Sequence, residues 1–318
     1  MNRFKNILVV YRRTENGNLL LKRAITLAMT NKARLTVADT IGGFLYHIPI
    51  LTSKASRKEL TEHFARERYK QVQEWLSKAT RNRMPCKVII LVGTPFLEIV
   101  RAVMREHYDL VMLTTEGRPG AKGRFYGRTA LHLIRKCPCT VWIVKPNPNK
   151  PFSGILAAVD PDPLNTQKTM LNIKIMDLAT SLAAQEHCEL HVVYSHSPWQ
   201  DHFLHYTTMS ARVIETVTQQ LLEQRRKHLD DLVVHYGIGK QVHFLLEEPG
   251  MAIPDLIRKQ HIKLIVMGTT CQSGLSGLLI GSTAESVLQQ VDCSVLAIKP
   301  EGFVTPVELT SNEMILTH

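Results

Sequence analysis

A segment near residue 140 recurs later in the chain at an offset of 154 residues. Cys139-Thr-Val-Trp-Ile-Val-Lys-Pro146 superposes on Cys293-Ser-Val-Leu-Ala-Ile-Lys-Pro300, with cysteine, the first valine, lysine and proline in common. Gly127 and Gly281 are related by the same offset, and near the start of each copy the offset is 148. A repeat of this length indicates that a whole domain has been duplicated.

Within each copy, short apolar strands alternate with amphipathic helices. In the first copy, strands are predicted at 6–10, 34–39, 87–92, 110–114 and 141–145, with helices at 19–29, 57–80, 95–106 and 129–136. Unbroken Val/Ile/Leu strands separated by helices indicate a parallel sheet covered on both faces. We therefore predict an α/β fold of two tandem Rossmann-like domains, each with a doubly wound, mainly parallel five-stranded sheet. The domains are expected at 1–150 and 151–303, followed by a C-terminal tail at 304–318.

The composition is that of a globular protein. Of the 318 residues, 44% are hydrophobic and 21% charged, which excludes a disordered chain. The apolar runs, such as Leu264–Met267, are far shorter than the ~18 residues needed to span a bilayer, so we expect no membrane span. The first strand starts almost at once without a signal-peptide cleavage site, and six scattered cysteines suit a reducing compartment. The sequence therefore predicts a cytoplasmic location.

The two copies differ strongly in charge. Residues 1–150 contain 28 Lys+Arg against 10 Asp+Glu, a net charge of +18, whereas residues 151–318 contain 11 against 18, a net charge of −7. A basic half can attract nucleic acid, anionic lipid or a phosphorylated ligand, and it can equally dock against its own acidic neighbour. An aromatic content of 6% and the lack of a helix-turn-helix signature argue against a nucleic-acid binder.

The loop after the predicted fourth strand of the second copy is rich in glycine and hydroxyl residues. It runs from Gly268 through Gly274 and Gly277 to Gly281, and a helix is predicted to begin at Ser282. Glycine lets backbone N–H groups approach a ligand closely, and a helix N-terminus adds positive potential for phosphate. Loops of this kind also serve as simple turns, and both interpretations stay open at this point. The lack of a GxxxxGK[ST] motif argues against a Walker-type NTPase.

These residues resemble the universal stress protein family in its tandem, two-domain form, over nearly all of both copies. The nucleotide signature of that family is G-x2-G-x9-G-[ST], with an Asp at the end of the first strand. Positions of the second copy that fall on or beside this pattern are Asp160, Met267, Gly268, Cys271, Gly281, Ser282 and Thr283. Gly268, Gly281 and Ser282 match the signature and Asp160 occupies the Asp position, whereas Cys271 stands where the second glycine is expected.

The resemblance implies an adenine nucleotide alpha hydrolase-like fold, a stress-response role and ATP, with or without Mg²⁺, bound to the second copy. Asp160 and the backbone around Met267 and Gly268 would then hold the adenosine, and the helix start at 281–283 would hold the phosphates. The sequence contains no specific Ser-His-Asp triad, paired-carboxylate site or HExxH helix. We therefore expect no catalysis beyond slow ATP hydrolysis.

The first copy departs further from the family pattern. Thr114 replaces the first glycine, Arg128 replaces the Ser/Thr, and Arg12 replaces the Asp, although Gly117 and Gly127 remain. The first copy is therefore expected to be a degenerate site. Its loop carries several cations, which either hold an anion or face the acidic half: Arg118, Lys122, Arg124 and Arg128.

The fifth strands of the two domains pair edge to edge in this family. Here Val141–Val144 and Val295–Ile298 belong to one chain, so the resemblance implies an internal pseudo-dimer and leaves a homodimer open. An alternative function is a carrier or interaction protein that binds a phosphorylated or acylated ligand, or an anionic partner, without nucleotide.

Three further groups of residues are weighed against simpler interpretations. His196, His202 and His205 could bind a divalent ion, but a histidine-rich solvent loop explains them as well. Cys137 and Cys139 fit buried packing better than redox chemistry. Asp160 and Asp162 could hold Mg²⁺ beside a phosphate, but together with the neighbouring prolines they more simply form a turn. No metal site is therefore predicted.

Overall fold

The computed structural model describes residues 4–42, 54–80, 84–115, 126–145, 152–162, 164–196, 210–269, 280–309 and 315–317. In the first half the elements are β1 (Asn6–Val10), α1 (Glu15–Asn31), β2 (Arg34–Ile41), α2 (Lys54–Thr80), β3 (Cys86–Val92), α3 (Pro95–Glu106), β4 (Leu110–Thr114), α4 (Arg128–Lys136) and β5 (Thr140–Val144). This alternation of strands and helices confirms the α/β class.

The second half repeats this order. Its elements are β6 (Gly154–Ala158), α5 (Thr166–Glu186), β7 (Glu189–Ser195), α6 (Ala211–His235), β8 (Val242–Leu245), α7 (Pro249–Lys259), β9 (Leu264–Gly268), α8 (Ser282–Gln290) and β10 (Ser294–Ile298). A short strand near the C-terminus, β11 (Ile315–Thr317), follows. In each half the strand order is third, second, first, fourth, fifth, and the neighbouring strands within a half are parallel.

Local sequence signals fix the helix ends. The side chains of Thr14 and Asn165 accept hydrogen bonds from the third backbone N–H of α1 and α5, which satisfies donors that a helix start leaves unpaired. Pro95 and Pro249 begin α3 and α7, where a backbone N–H would have no acceptor within the helix and proline loses no hydrogen bond. These signals explain why α1, α3, α5 and α7 begin at defined residues.

The sheets of the two halves join into one continuous sheet. β5 pairs antiparallel with β10, with Val295 opposite Ile143 and Ala297 opposite Val141, and the result is a single eleven-stranded sheet. This is the edge-to-edge pairing of the fifth strands that the family resemblance implies. The sequence analysis misses β11, which lies in the expected C-terminal tail and pairs antiparallel with β3 of the first half.

The helices cover the sheet on both faces. One core lies under α1, α2, α5 and α6, and the other lies under α3, α4, α7 and α8. Successive strand residues alternate between these cores, as in Ile7 and Val9 against Leu8 and Val10, because strand side chains point to opposite faces. No helix in the described part of the chain combines the length and apolar character needed to cross a membrane.

Cations of the basic half pair with carboxylates of the acidic half. Arg23 Nη1 lies 2.6 Å from Glu186 Oε1. Two further pairs of the same polarity are Arg135 with Glu285 and Lys145 with Asp292. Arg118, Lys122 and Arg124, which the sequence suggested for such a role, lie outside the described residues. In the described part of the chain, the charge pairing between the halves is carried by cations on α1, on α4 and just after β5.

Candidate functional site

Asp160 and Gly268 lie next to each other at the C-terminal ends of two neighbouring strands in the second half. β6 and β9 are parallel neighbours, and Ala158 is paired with Met267 in their register. Asp160 lies two residues beyond that pair and Gly268 one residue beyond it. Strands β6 and β9 are the first and fourth strands of the half, where the strand order reverses, and open parallel sheets bind their ligands at that point.

The backbone of Asp160 is held by one side chain of α5. Asn172 Oδ1 accepts a 3.0 Å hydrogen bond from the Asp160 N–H, and Asn172 Nδ2 donates a 2.8 Å bond to the Asp160 carbonyl. Asn172 is itself buried. The amide therefore fixes the chain just after β6, while the Asp160 carboxylate remains 49% exposed.

Lys168, which the sequence analysis did not single out, forms ion pairs with the carboxylates of Asp160 and Asp162. Lys168 Nζ lies 2.8 Å from Asp160 Oδ2 and 3.1 Å from Asp162 Oδ2, and its side chain is 11% exposed. Burial by itself lowers the pKa of Lys168, but the two carboxylates outweigh it and the net shift is upward. For Asp162, burial is likewise outweighed by the Lys168 ammonium, and the pKa falls.

The position of Lys168 follows from the helix start. Asn165 caps α5, so Lys168 is the third helical residue, and helical side chains lean toward the N-terminus, here toward the Asp160–Asp162 turn. The Asp162 N–H donates to the Asp160 carbonyl at 2.9 Å, as expected of a turn. A lysine one turn after an Asx cap is the sequence signal for this contact, although cations are generally unfavourable at a helix N-terminus.

The packing against α5 requires a glycine at position 268. A methyl group placed on its Cα would lie 2.5 Å from Cδ2 of Leu171, a buried residue of α5. Only glycine therefore fits at this position without moving α5 or the Leu171 side chain. Met267 is buried beneath the same edge, where its side chain belongs to the core under α7 and α8.

The third part of the candidate site is the N-terminus of α8. Gly281 precedes the helix and offers no side chain to cap it, and Ser282 and Thr283 are exposed in its first turn. A helix start without a capping side chain presents free N–H groups and the positive end of the helix dipole. Cys271, Gly274 and Gly277 lie outside the described residues.

The corresponding edge of the first half has different chemistry. A small groove of about 10 Å³ is lined by Arg12 and by Thr114 and Thr129, with Val10 and Leu113 behind them. Arg12 stands at the position of Asp160, so the first half has a cation where the second has a carboxylate. Gly127 precedes α4 with φ of 81°, a conformation that favours glycine, and Arg128 begins that helix.

The other candidate residues have structural partners. His196 is buried, with Nδ1 3.1 Å from the Tyr194 hydroxyl and 2.8 Å from Arg225 Nη1, while His202 and His205 lie outside the described residues. The sulfur atoms of Cys137 and Cys139 are 3.5 Å apart at the end of α4. Within the described ranges no three His, Cys, Asp or Glu residues come together as a metal site.

Comparison with known families shows the class of protein that this fold defines. The model of the universal stress protein family matches residues 3–145 and 154–299. The chain therefore belongs to the universal stress protein family, a family of stress-response proteins, and carries two copies of its domain.

Curated relatives share the two-domain layout. The chain is 27% identical to universal stress protein E of Escherichia coli K12 over 321 residues, which cover 98% of this chain and 99% of the relative. It is 25% identical to the universal stress protein E homolog of Haemophilus influenzae over 311 residues, 94% and 98% of the two chains. The chain is thus similar along its whole length to tandem proteins of the universal stress protein E type.

Solved structures agree with the fold. A putative universal stress protein from Pseudomonas aeruginosa UCBPP-PA14 has a TM-score of 0.71 at 22% identity and covers 95% of each chain. A universal stress protein from Archaeoglobus fulgidus has a TM-score of 0.63 at 18% identity and covers 93% of this chain and 99% of its own. At these identities the likeness shows the fold.

Proposed function

We propose that this stress protein acts in the cytoplasm and that its second half binds an adenine nucleotide, ATP. The observation that carries the proposal is the pairing of β6 with β9, in which Ala158 lies opposite Met267. Two separate parts of the family's nucleotide signature, the Asp160 position and the loop that starts at Gly268, therefore begin at adjacent points of one sheet edge.

The residues of this edge suit the two ends of a nucleotide. The half-exposed Asp160 carboxylate, oriented by Lys168, can accept a hydrogen bond from the adenosine. The uncapped start of α8 at Gly281, Ser282 and Thr283 can receive the phosphates through backbone N–H groups and hydroxyls. Any Mg²⁺ would accompany the phosphates, because the carboxylates of Asp160 and Asp162 are engaged by an ammonium group.

The same chemistry argues against rapid hydrolysis. A general base must reach the attacking water with a free proton acceptor, and the carboxylates described at this edge are held by Lys168. We propose that bound ATP turns over slowly at most. We further propose that the antiparallel pairing of β5 with β10 makes the chain an internal pseudo-dimer, with a homodimer of the whole chain as a further level of assembly.

Calorimetry with ATP and Mg²⁺ tests the site. Gly281→Val places a branched side chain where the phosphates must approach α8, and it should abolish ATP binding. Gly239→Val is the matched control, since a Cβ at Gly239 meets nothing within 4 Å, and it should bind ATP like the wild type. Thermal unfolding of each variant without nucleotide checks that both are folded.

A second variant tests the adenosine end. Asp160→Asn keeps the shape of the side chain but removes its charge, and it should weaken ATP binding about tenfold if a charge-assisted hydrogen bond is lost. Equal ATP affinity of wild type and folded Gly281→Val, or no ATP binding by the wild type, would refute the nucleotide site.

A further inference from the structure

A second groove lies in the first half, on the sheet face opposite the groove that contains Arg12. This open groove has a volume of about 140 Å³ and lies between the C-terminal ends of β1 and β2 and the C-terminal half of α2. Tyr11 and Val72, which line it, belong to the core under α1 and α2, whereas Val10 and Leu113 of the other groove belong to the core under α3 and α4. The two grooves are therefore separate.

One wall of this groove is aromatic. The rings of Tyr11 and Trp75 stack with their centroids 4.7 Å apart and their planes inclined by 26°. Tyr11 is buried, and its hydroxyl lies 3.2 Å from Asn18 Oδ1, while Trp75 is partly exposed. The wall therefore offers an indole ring, backed by a second ring, to a planar ligand.

The two carboxylates that line the groove are already neutralised. Asp39, whose side chain is 7% exposed, accepts a 2.7 Å hydrogen bond from the Thr40 N–H and lies 2.8 Å from Arg68 Nε. Glu74 lies 2.8 Å from Lys78 Nζ in the next helical turn. An incoming anion therefore meets no unpaired negative charge from these two residues.

Positive charge remains available on two guanidinium groups. Arg13 lines the groove and makes no ion pair with any described residue. Arg68 contacts Asp39 through Nε, so its two Nη groups are left without a partner in the described part of the chain. The three cations and two carboxylates of the lining give a net charge of +1, and arginine forks match planar carboxylates.

We propose that this groove binds a small aromatic carboxylate of one ring. The ring lies against Trp75, and the carboxylate is held by Arg13 and the Nη groups of Arg68. A cavity of about 150 Å³ accommodates benzene, so a volume of about 140 Å³ fits one ring. Whole nucleotides and other larger ligands need pockets of roughly 300 Å³ or more.

In the second half, a tyrosine stands at the position that corresponds to Asp39 of the groove. Tyr194 is the sixth residue of β7, as Asp39 is the sixth residue of β2. The Tyr194 hydroxyl lies 3.0 Å from Arg225 Nη1, which also lies 2.8 Å from His196 Nδ1. In the second half, the Nη1 group of Arg225 is therefore hydrogen-bonded to side chains of the protein itself. The proposed binding property therefore belongs to the first half.

Benzoate is the probe, titrated into the full-length chain while tryptophan fluorescence and heat are recorded. Benzoate should quench fluorescence in a saturable manner. Benzamide, which has the same shape without the charge, and cyclohexanecarboxylate, which has the charge without the flat ring, should each bind about tenfold more weakly or worse. Arg13→Gln should weaken benzoate binding by a similar factor.

Control variants separate this groove from the rest of the molecule. Arg66→Gln, an exposed arginine of the same helix that pairs with Glu62, should leave benzoate affinity unchanged. Trp75→Phe should keep the heat of binding and lose most of the quenching. Gly281→Val should bind benzoate normally, so that this proposal and the nucleotide site can fail independently.

Absence of saturable benzoate binding would overturn the proposal, as would equal affinity for benzamide. Wild-type affinity in folded Arg13→Gln would overturn it as well. Competition between ATP and benzoate, with benzoate binding lost in Gly281→Val, would assign the anion to the nucleotide edge instead of this groove.

Discussion

The ammonium group of Lys299, in the second half, donates a 2.6 Å hydrogen bond to the carbonyl oxygen of Ile134 in the last turn of α4, in the first half. It donates a second bond, of 3.1 Å, to the carbonyl of Arg135. The unpaired carbonyls at a helix C-terminus attract a cation. Lys299 thus caps a helix of one half from the other, and burial lowers its pKa to about 8 although the neighbouring Cys137 and Cys139 oppose the shift.

This lowered pKa predicts a pH dependence of stability. Because the unfolded chain binds a proton on Lys299 up to about pH 10.5 and the folded chain only up to about pH 8, the free energy of unfolding should rise with pH across that window. Between pH 7.5 and pH 9.5 the wild type should gain on the order of 2 kcal/mol relative to Lys299→Met. Urea unfolding at both pH values measures the difference.

The adjacent thiols are the control for this experiment. The same pair of measurements in a Cys137→Ala, Cys139→Ala background removes their titration and should leave most of the gain. A gain that vanishes with the thiols would assign the effect to the cysteines instead of to the buried amine.

The contact between Gly268 and Leu171 predicts a packing role for a residue of the nucleotide signature. Gly268→Ala should lower the free energy of unfolding by about 1–3 kcal/mol without any nucleotide, because the added methyl group overlaps the Leu171 side chain. In a Leu171→Ala background the same change should cost much less, since the methyl group then enters the space left by leucine.

Urea unfolding of the four proteins in this cycle measures the coupling, with Gly239→Ala as a control glycine in open space. If Gly268→Ala is as stable as the wild type, the glycine serves ligand approach alone and the packing explanation is wrong.

The edge pairing of β5 with β10 predicts how the first half behaves alone. Residues 1–150 would expose the backbone of β5 and the buried Trp142. They would also leave the Tyr126 hydroxyl without its partners, the carbonyls of Val291 and Cys293. Since an uncovered apolar edge strand recruits another strand, the fragment should self-associate in sedimentation experiments.

Addition of residues 151–318 should convert that material into a one-to-one complex. A fragment 1–150 that is folded and monomeric at micromolar concentration would contradict the proposed importance of this edge.

The sequence alone determined the class of fold, because the relevant signals are local and repeated. Unbroken apolar strands such as Leu110–Thr114 and Leu264–Gly268, helix starts marked by Pro95 and Pro249, and the recurrence of one segment at a fixed offset all follow from residue type and spacing. The resemblance to the family signature supplied the two positions of the candidate site that the β6–β9 register brings together, Asp160 and Gly268.

Only the tertiary structure decided which side chains meet across elements. Three contacts illustrate this: Lys168 pairs with Asp160, Leu171 lies against Gly268, and Lys299 donates to the Ile134 carbonyl. Each contact joins different parts of the fold and depends on distances that no sequence period encodes. The added strand β11 and the groove lined by Tyr11 and Trp75 are also products of packing. The physical reason is that strand and helix patterns specify which face of an element is buried, whereas the neighbour that covers it is selected by the fold as a whole.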